Sequence, residues 1–238
     1  PASCLNQTHL RSRQTSAAVQ KGCSPFAFTP DLPYILLARH IRKNTGFLVM
    51  PNAHSEPAAQ DIQNPAKADS RLAEYLRVNH AGERAAQTIY KGQLAILGNH
   101  PDAAEIQHMM EQEQEHLDAF DHLLNEYKVR PSLLDPVWGA AGFILGAATA
   151  AMGPKAAMAC TIAVEEVIGT HYDNQVKDLS AKEKEPELVE VLAKFRDEEL
   201  EHRDIAVAHD GREAPAYNLM QKIISTGCKT AIKIAEKI

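Results

Sequence analysis

From about residue 68 onward, apolar positions recur every three to four residues and never alternate as they would in a strand. The pattern predicts a first helix over 69–97, capped by Asp69 or Ser70 and stopped at Gly98-Asn99, with Pro101 beyond. A second is expected over 102–128, ending before Pro131, and a third from Pro154 to about 180. A fourth starts near Pro186 and reaches about His209, and a fifth follows Pro215. Short connections within each pair and a long one between the pairs fit an all-α four-helix bundle with one crossover and an extra C-terminal helix.

Two segments of this pattern suit a membrane surface. The crossover from Pro136 to Pro154 carries no charge and holds Trp138, Phe143, Ile144 and Leu145. Pro136, its glycines and the Gly153-Pro154 break argue against an autonomous span. The expectation is an apolar segment resting in a bilayer interface, with burial in the core as the alternative. In the last helix Ile224, Cys228, Ala231, Ala235 and Ile238 form a stripe beside Lys222, Lys229, Lys233 and Lys237. That arrangement fits an anionic membrane surface and simple docking on the core equally well.

The N-terminal part is different. Residues 1–30 are rich in Ser, Thr, Gln and Ala, carry Arg and Lys and hold no acid, the composition of a mitochondrial transit peptide. A Pro, Asn, Ala and Gln-rich stretch over 50–69 reads as a linker, so 1–67 is expected to be leader and linker and 68–238 the folded domain. The chain carries a formal charge of −6, but residues 1–55 hold six Lys/Arg against one acid, Asp31. The remainder has 19 basic and 30 acidic residues, which argues against nucleic acid as a partner. Cys4, Cys23, Cys160 and Cys228 lie far apart, giving neither a disulfide framework nor a zinc ribbon, and a reducing compartment is expected.

The chemistry lies in the acids and histidines. Three Glu-x-x-His pairs occur: Glu105/His108, Glu113/His116 and Glu199/His202. Glu113 shares its helix face with Met109, Met110, Leu117 and Phe120, whereas Glu105 has Pro101, Asp102 and Gln112 around it and reads as solvated. In the first helix of each pair, Glu83 lies in line with Leu76, Tyr90 and Leu94, and Glu165 with Met158, Ile162, Ile168 and Tyr172; the adjacent Glu166 faces water. Each half therefore repeats Glu, a Tyr two turns later, a turn, and Glu-x-x-His. Buried carboxylates need partners or a metal. Glu83, Glu113, His116, Glu165, Glu199 and His202 aimed at one axis match the di-iron carboxylate site of ferritin-like bundles, and mixed carboxylate and imidazole donors suit iron or manganese. His80 is expected to be structural or to support the site from behind. His171 lies off the ligand line, with Tyr172 as a relay neighbour or as core packing mirrored by Tyr90.

The strings Arg77-Val-Asn-His-Ala-Gly-Glu83, Ile89-Tyr-Lys-Gly-Gln93, Ala163-Val-Glu-Glu166 and Phe195-Arg-Asp-Glu-Glu-Leu-Glu-His202, with Ala214-Pro-Ala-Tyr217, resemble the demethoxyubiquinone hydroxylase family of ubiquinone biosynthesis over about 70–238. The resemblance implies a ferritin-like fold and two iron ions held by the six residues named above. It also implies O2-dependent ring hydroxylation of demethoxyubiquinone or its quinol in the penultimate step of ubiquinone synthesis, with NADH as electron source. It places the protein peripherally on the matrix side of the mitochondrial inner membrane, beside a lipid-binding partner protein and within a multi-enzyme complex; a homo-oligomer is compatible with this. His171 and Tyr172 match a His-Tyr pair of the family linked to reduction and substrate control. Asn79 departs from the family, which commonly has Asp there. Rival readings are a di-iron quinol oxidase of alternative-oxidase type, a ferritin- or rubrerythrin-like iron protein, and a non-enzymatic membrane-bound bundle. G-x-G-x-x-G is absent, so a nicotinamide would need a shallow site or the quinone as relay.

Overall fold

A computed structural model describes residues 68–238, and the leader and linker expected over 1–67 lie outside the described residues. Six helices follow in order: α1 (Ser70–Leu97), α2 (Ala103–Glu126), α3 (Asp135–Ala151), α4 (Pro154–Ala181), α5 (Pro186–Ala208) and α6 (Tyr217–Ala235), with one 3-10 turn, Gly211–Glu213, before the last. No strand occurs among the described residues. Asp69 caps α1, its carboxylate accepting from the backbone N–H of Arg71 at 3.0 Å and Leu72 at 2.9 Å. Pro154 and Pro186 open α4 and α5, where a missing N–H costs nothing.

Helices α1, α2, α4 and α5 form the bundle. Its core is divided along the axis. One end holds Leu72, Leu76, Phe120, Leu123, Leu179, Leu192 and Phe195. The other holds Leu97, Ile106, Met109, Met158, Ile162 and Ala206. Between these apolar clusters lies a layer of fully buried Glu and His side chains.

The apolar crossover, whose conformation the sequence pattern leaves open, is itself a regular helix, α3. Its glycines are what allow it to pack. Gly142 and Gly146 on α3, and Gly92 on α1, leave no room for a Cβ against the backbone carbonyls of Ala85, Ile89 and Phe143 respectively. The two helices therefore touch backbone to backbone. Asp135, in the first turn of α3, holds that end in place through His80 at 3.5 Å and Arg84 at 3.5 Å. At the other end Gly153, with φ of 115°, reverses the chain into α4. Thus α3 is packed on one side and open on the other: Val137 (51% exposed), Phe143 (44%), Ile144 (66%) and Met152 (59%) face outward.

Helix α6 shows the same division. Met220, Ile224 and Ala235 are buried, with Cys228 and Ala231 half-buried, so the stripe picked out in the sequence docks inward. The outer line carries Leu219, Ile223 and Ile234. Arg77 satisfies the end of α6 by donating to the carbonyls of Ala235 at 3.4 Å and Glu236 at 3.5 Å. No described helix is long and apolar enough to cross a membrane.

Candidate metal centre

Each bundle helix delivers its acids to the middle layer. Glu83 comes from α1, Glu113 and His116 from α2, Glu165 from α4, and Glu199 and His202 from α5; all are at most 1% exposed. The i, i+3 spacing of Glu113/His116 and Glu199/His202 puts both donors of a pair on one face. The six residues make two overlapping groups, Glu83, Glu113, His116, Glu199 and Glu113, Glu165, Glu199, His202, with the donor atoms of each within 4.8 Å of one another. Glu113 and Glu199 belong to both. Glu113 directs Oε1 to His202 Nδ1 (3.1 Å) and Oε2 to His116 Nδ1 (3.9 Å). Glu199 directs Oε1 to His116 Nδ1 (3.2 Å) and Oε2 to His202 Nδ1 (3.6 Å). Both are placed to bridge, while Glu83/His116 and Glu165/His202 stand at the two ends.

The ends are held from behind by tyrosines that cross the bundle. Tyr172 of α4 donates to Glu83 Oε1 of α1, and Tyr90 of α1 donates to Glu165 Oε1 of α4 at 2.6 Å. Burial, reinforced by the surrounding carboxylates, keeps both phenols protonated and donating. Each terminal carboxylate thus has one oxygen occupied and Oε2 free. Eight buried atoms lack a hydrogen-bond partner here: Oε2 of Glu83 and Glu165, both oxygens of Glu113 and Glu199, and Nδ1 of His116 and His202. They divide into two sets of four donors, one terminal oxygen, one imidazole nitrogen and one oxygen from each bridge. Eight orphaned donors in a dry layer would be costly, and a pair of hard dications answers that cost.

Without such ions the layer must hold protons. Burial, then the charges of neighbouring carboxylates, raises Glu113 and Glu165 well above the usual range. Burial also opposes charge on Glu199, but the imidazoles of His116 and His202 beside it outweigh that and hold Glu199 down at about 2.

Residues 70–235 match the family described as Ubiquinone biosynthesis protein COQ7. The chain belongs to the COQ7 family. The Bos taurus relative named NADPH-dependent 3-demethoxyubiquinone 3-hydroxylase, mitochondrial, is 50% identical over 165 residues, covering 68% of this chain and 76% of that protein. The Rhodospirillum rubrum 3-demethoxyubiquinol 3-hydroxylase is 47% identical over 165 residues, covering 69% and 77%. The Saccharomyces cerevisiae 5-demethoxyubiquinone hydroxylase, mitochondrial, is 36% identical over 219 residues, covering 86% and 93%.

In this COQ7-family chain all six residues of the spacing argument converge. Glu166 is exposed, as is His108, and Glu105 is half-buried away from the cluster. His80 stays outside it too, bonding Asp121 at 3.0 Å. Tyr172 is more than packing, since it touches Glu83, and the same correction applies to Tyr90 on Glu165. His171 touches no member of the cluster in a polar contact; its Nε2 accepts from Gln175 at 2.7 Å. Gln175 also exchanges two 2.8 Å hydrogen bonds with Asn79. Burial, then the charge of Arg71, lowers His171 to about 4, so it is neutral with its proton on Nδ1.

Sequence reasoning missed Gln112 and Glu198. Gln112 Oε1 accepts from His202 Nε2 at 3.0 Å, and Glu198 Oε2 from His116 Nε2 at 2.9 Å. The available signal was their shared position, one residue before the Glu that belongs to both donor groups in each half.

Proposed function

We propose that this chain is a di-iron monooxygenase that hydroxylates the ring of demethoxyubiquinone or its quinol. The two overlapping four-donor sets in the dry layer carry the reading, and the activities in the names of the COQ7 relatives support it. Glu83 and His116 would hold one iron, Glu165 and His202 the other, with Glu113 and Glu199 bridging. When bound, the iron pair supplies binding and reductive activation of O2.

The protein's own residues prepare that chemistry. Tyr90 and Tyr172 fix the terminal carboxylates, so that one oxygen of each remains free to turn toward the layer. Glu113 and Glu199, whose four oxygens have no hydrogen-bond partner, would be free to serve both irons. Gln175 holds His171 with its proton on Nδ1, beside Tyr172, where it can pass a proton or position a ring. The electron source is a reduced nicotinamide; the bovine relative is named as NADPH-dependent where the family resemblance implied NADH, and both belong in the assay.

The substrate's polyprenyl tail is costly to expose, each CH₂ being worth about 0.8 kcal/mol. The outward apolar residues of α3 and α6 fit a bilayer surface, and an apolar groove of about 80 Å³ lies between Trp138 and the Cys228–Ala235 stretch of α6. Its floor includes Ala85, Ile89 and Val164 of the helices that carry Glu83 and Glu165. The bovine and yeast relatives are named as mitochondrial, and we infer for this chain a peripheral position on the matrix side of the mitochondrial inner membrane, beside a lipid-binding partner in a multi-enzyme complex. Ile144→Asp should release the protein from liposomes with iron retained. Leu145, half-buried against the core around Ile89, is a poorer probe. Continued co-sedimentation of Ile144→Asp with lipid would remove α3 from the membrane contact.

The deciding experiment incubates iron-loaded protein with demethoxyubiquinone, NADPH or NADH, and ¹⁸O2. One labelled oxygen in the product ring is expected. Label confined to water would instead identify a quinol oxidase.

A further inference from the structure

The two histidines of the metal centre present the same atom inward and different partners outward. His116 and His202 both aim Nδ1 at the carboxylate layer. Behind them, His116 Nε2 meets Glu198 Oε2 at 2.9 Å, whereas His202 Nε2 meets Gln112 Oε1 at 3.0 Å. Both outer partners accept, so both Nε2 atoms carry the proton and both Nδ1 lone pairs are free for a metal. The geometry is duplicated, and the charge is not.

We infer that the Glu198/Gln112 difference makes the two iron positions chemically unequal, with the iron at the Glu83/His116 end held more tightly and more stable as ferric than the iron at the Glu165/His202 end. This rests on the di-iron reading above. A carboxylate accepting an imidazole N–H pulls on the proton more strongly than an amide carbonyl, because the hydrogen bond is charge-assisted. The ring moves toward imidazolate and its Nδ1 becomes a stronger donor. Lys194 Nζ, 3.3 Å from Glu198 Oε1, tempers that charge without reaching the oxygen that binds His116. No comparable charge stands behind His202, since Gln112 is neutral. Glu198 and Gln112 are positioning residues that act through the histidines and touch no metal.

The remaining donors do not cancel this difference. The bridging carboxylates give one oxygen to each end, and each terminal carboxylate has one oxygen occupied by a tyrosine. What separates the two ends among the hydrogen bonds to the donor set is the partner of the histidine.

The test uses the full chain loaded anaerobically with ⁵⁷Fe(II), and reads iron rather than turnover. Mössbauer spectra of the wild type should show two unequal ferrous sites, and a chelator should remove iron in two phases. In Glu198→Gln the slow phase should accelerate by about 10–100-fold, the usual effect of changing an outer partner, and merge with the fast one. Gln112→Glu should slow the fast phase, and the double exchange should restore two phases with the spectra of the ends interchanged. Should Glu198→Gln misfold by circular dichroism, Gln112→Glu carries the test, because it adds an acceptor and removes none. A single release rate in the wild type, or phases unmoved by either substitution, would overturn the inference while leaving the di-iron reading intact. Wild-type protein that takes up no iron would overturn both, and is told apart by that control.

Discussion

Aligning α1 on α4 so that Glu83 falls on Glu165 puts Tyr90 on Tyr172 and Gln93 on Gln175, yet sets Asn79 against Thr161, His80 against Ile162 and Ile89 against His171. The matching residues face one another across the pair. Each tyrosine bonds the other helix's glutamate. Each glutamine also reaches across, Gln175 to Asn79 and Gln93 to Thr161 at 3.4 Å. The unmatched residues lie one step further out. Duplication has kept the ring that can hold a metal pair and released the ring behind it, and the released ring is where the two ends can acquire different work.

The largest expected effect comes from breaking the inner ring. Glu165→Ala should remove most bound iron and reduce turnover by more than the ~10–100-fold typical of losing an outer partner. Its exposed neighbour Glu166→Ala should leave both within twofold of the wild type. Equal losses from the two changes would mean that helix face does not decide which carboxylate serves the site.

Next are the crossed tyrosines. Tyr90→Phe and Tyr172→Phe each strip a buried carboxylate of its donor, a change costing about 1–3 kcal/mol in stability. If the duplication is structural, the two should lower the unfolding midpoint by similar amounts. Turnover should separate them, because only Tyr172 follows a histidine. Similar turnover losses would show that the ends are also functionally alike.

How far this was readable beforehand follows the same division. Glu83, Glu113, His116, Glu165, Glu199 and His202 stood out because helical periodicity and a repeated spacing address the inner face directly. The crossing of Tyr90 to Glu165 did not, since seven-residue spacing ties a tyrosine to its own helix's line and says nothing about the residue opposite. Gln112 and Glu198 were obscured by acid-rich helices in which one more Glu or Gln signals only solvent. The packing of the crossover was not readable either. Its glycines and Pro136 argued only against an autonomous span, whereas Pro136 sits in the first turn of α3, and Gly142 and Gly146 are its contact with α1. Sequence shows small residues without showing which backbone they admit.

Glu113 and Glu199, shared by the two donor groups, give a third test, read on metal-free protein. Glu113 is raised well above its usual value of 4.5, mainly by burial and then by Glu199 and Glu83, so its contribution to stability is full below 4.5 and lost as pH rises. Glu199 is lowered to about 2, with burial opposed by the imidazoles of His116 and His202 beside it, so its contribution is present above 4.5 and lost as pH falls toward 2. At neutral pH, Glu113→Gln should therefore raise the urea midpoint and Glu199→Gln should lower it. On acidification toward 4.5 the benefit of Glu113→Gln should fade. Iron loading should reverse the overall trend, because protons compete with the metal for the same oxygens and iron retention falls with acid. Parallel shifts in the two variants would show that the bridges are electrically equivalent.

The smallest effect is expected where the outer rings differ most, at Asn79, Gln175 and His171. The amide nitrogen of Gln175 is shared between Asn79 Oδ1 and His171 Nε2, while its oxygen accepts from Asn79 Nδ2. In the first half Gln93 has no such neighbour, since Ile89 occupies the place of His171. Asn79→Asp, the residue expected from the family pattern, replaces a donor by an oxygen. Gln175 Oε1 then faces another acceptor, and the carboxylate draws Gln175 Nε2 toward itself and away from His171. Relieved of that donor and given an anion nearby, His171 should titrate above its present value of about 4. Iron content should be unchanged, and turnover should move by only a few-fold. His171→Ala should keep both irons as well and lose about tenfold in coupling of nicotinamide oxidation to product, less than the ~100-fold or more expected of a group that itself transfers the proton in the chemical step. Long-range ¹H–¹⁵N spectra of the imidazole, recorded across pH in wild type and Asn79→Asp, read the shift directly. An unmoved titration in Asn79→Asp would detach His171 from the amide pair. Iron loss in His171→Ala would instead place that histidine in the inner ring, and the comparison between the halves would have to be redrawn.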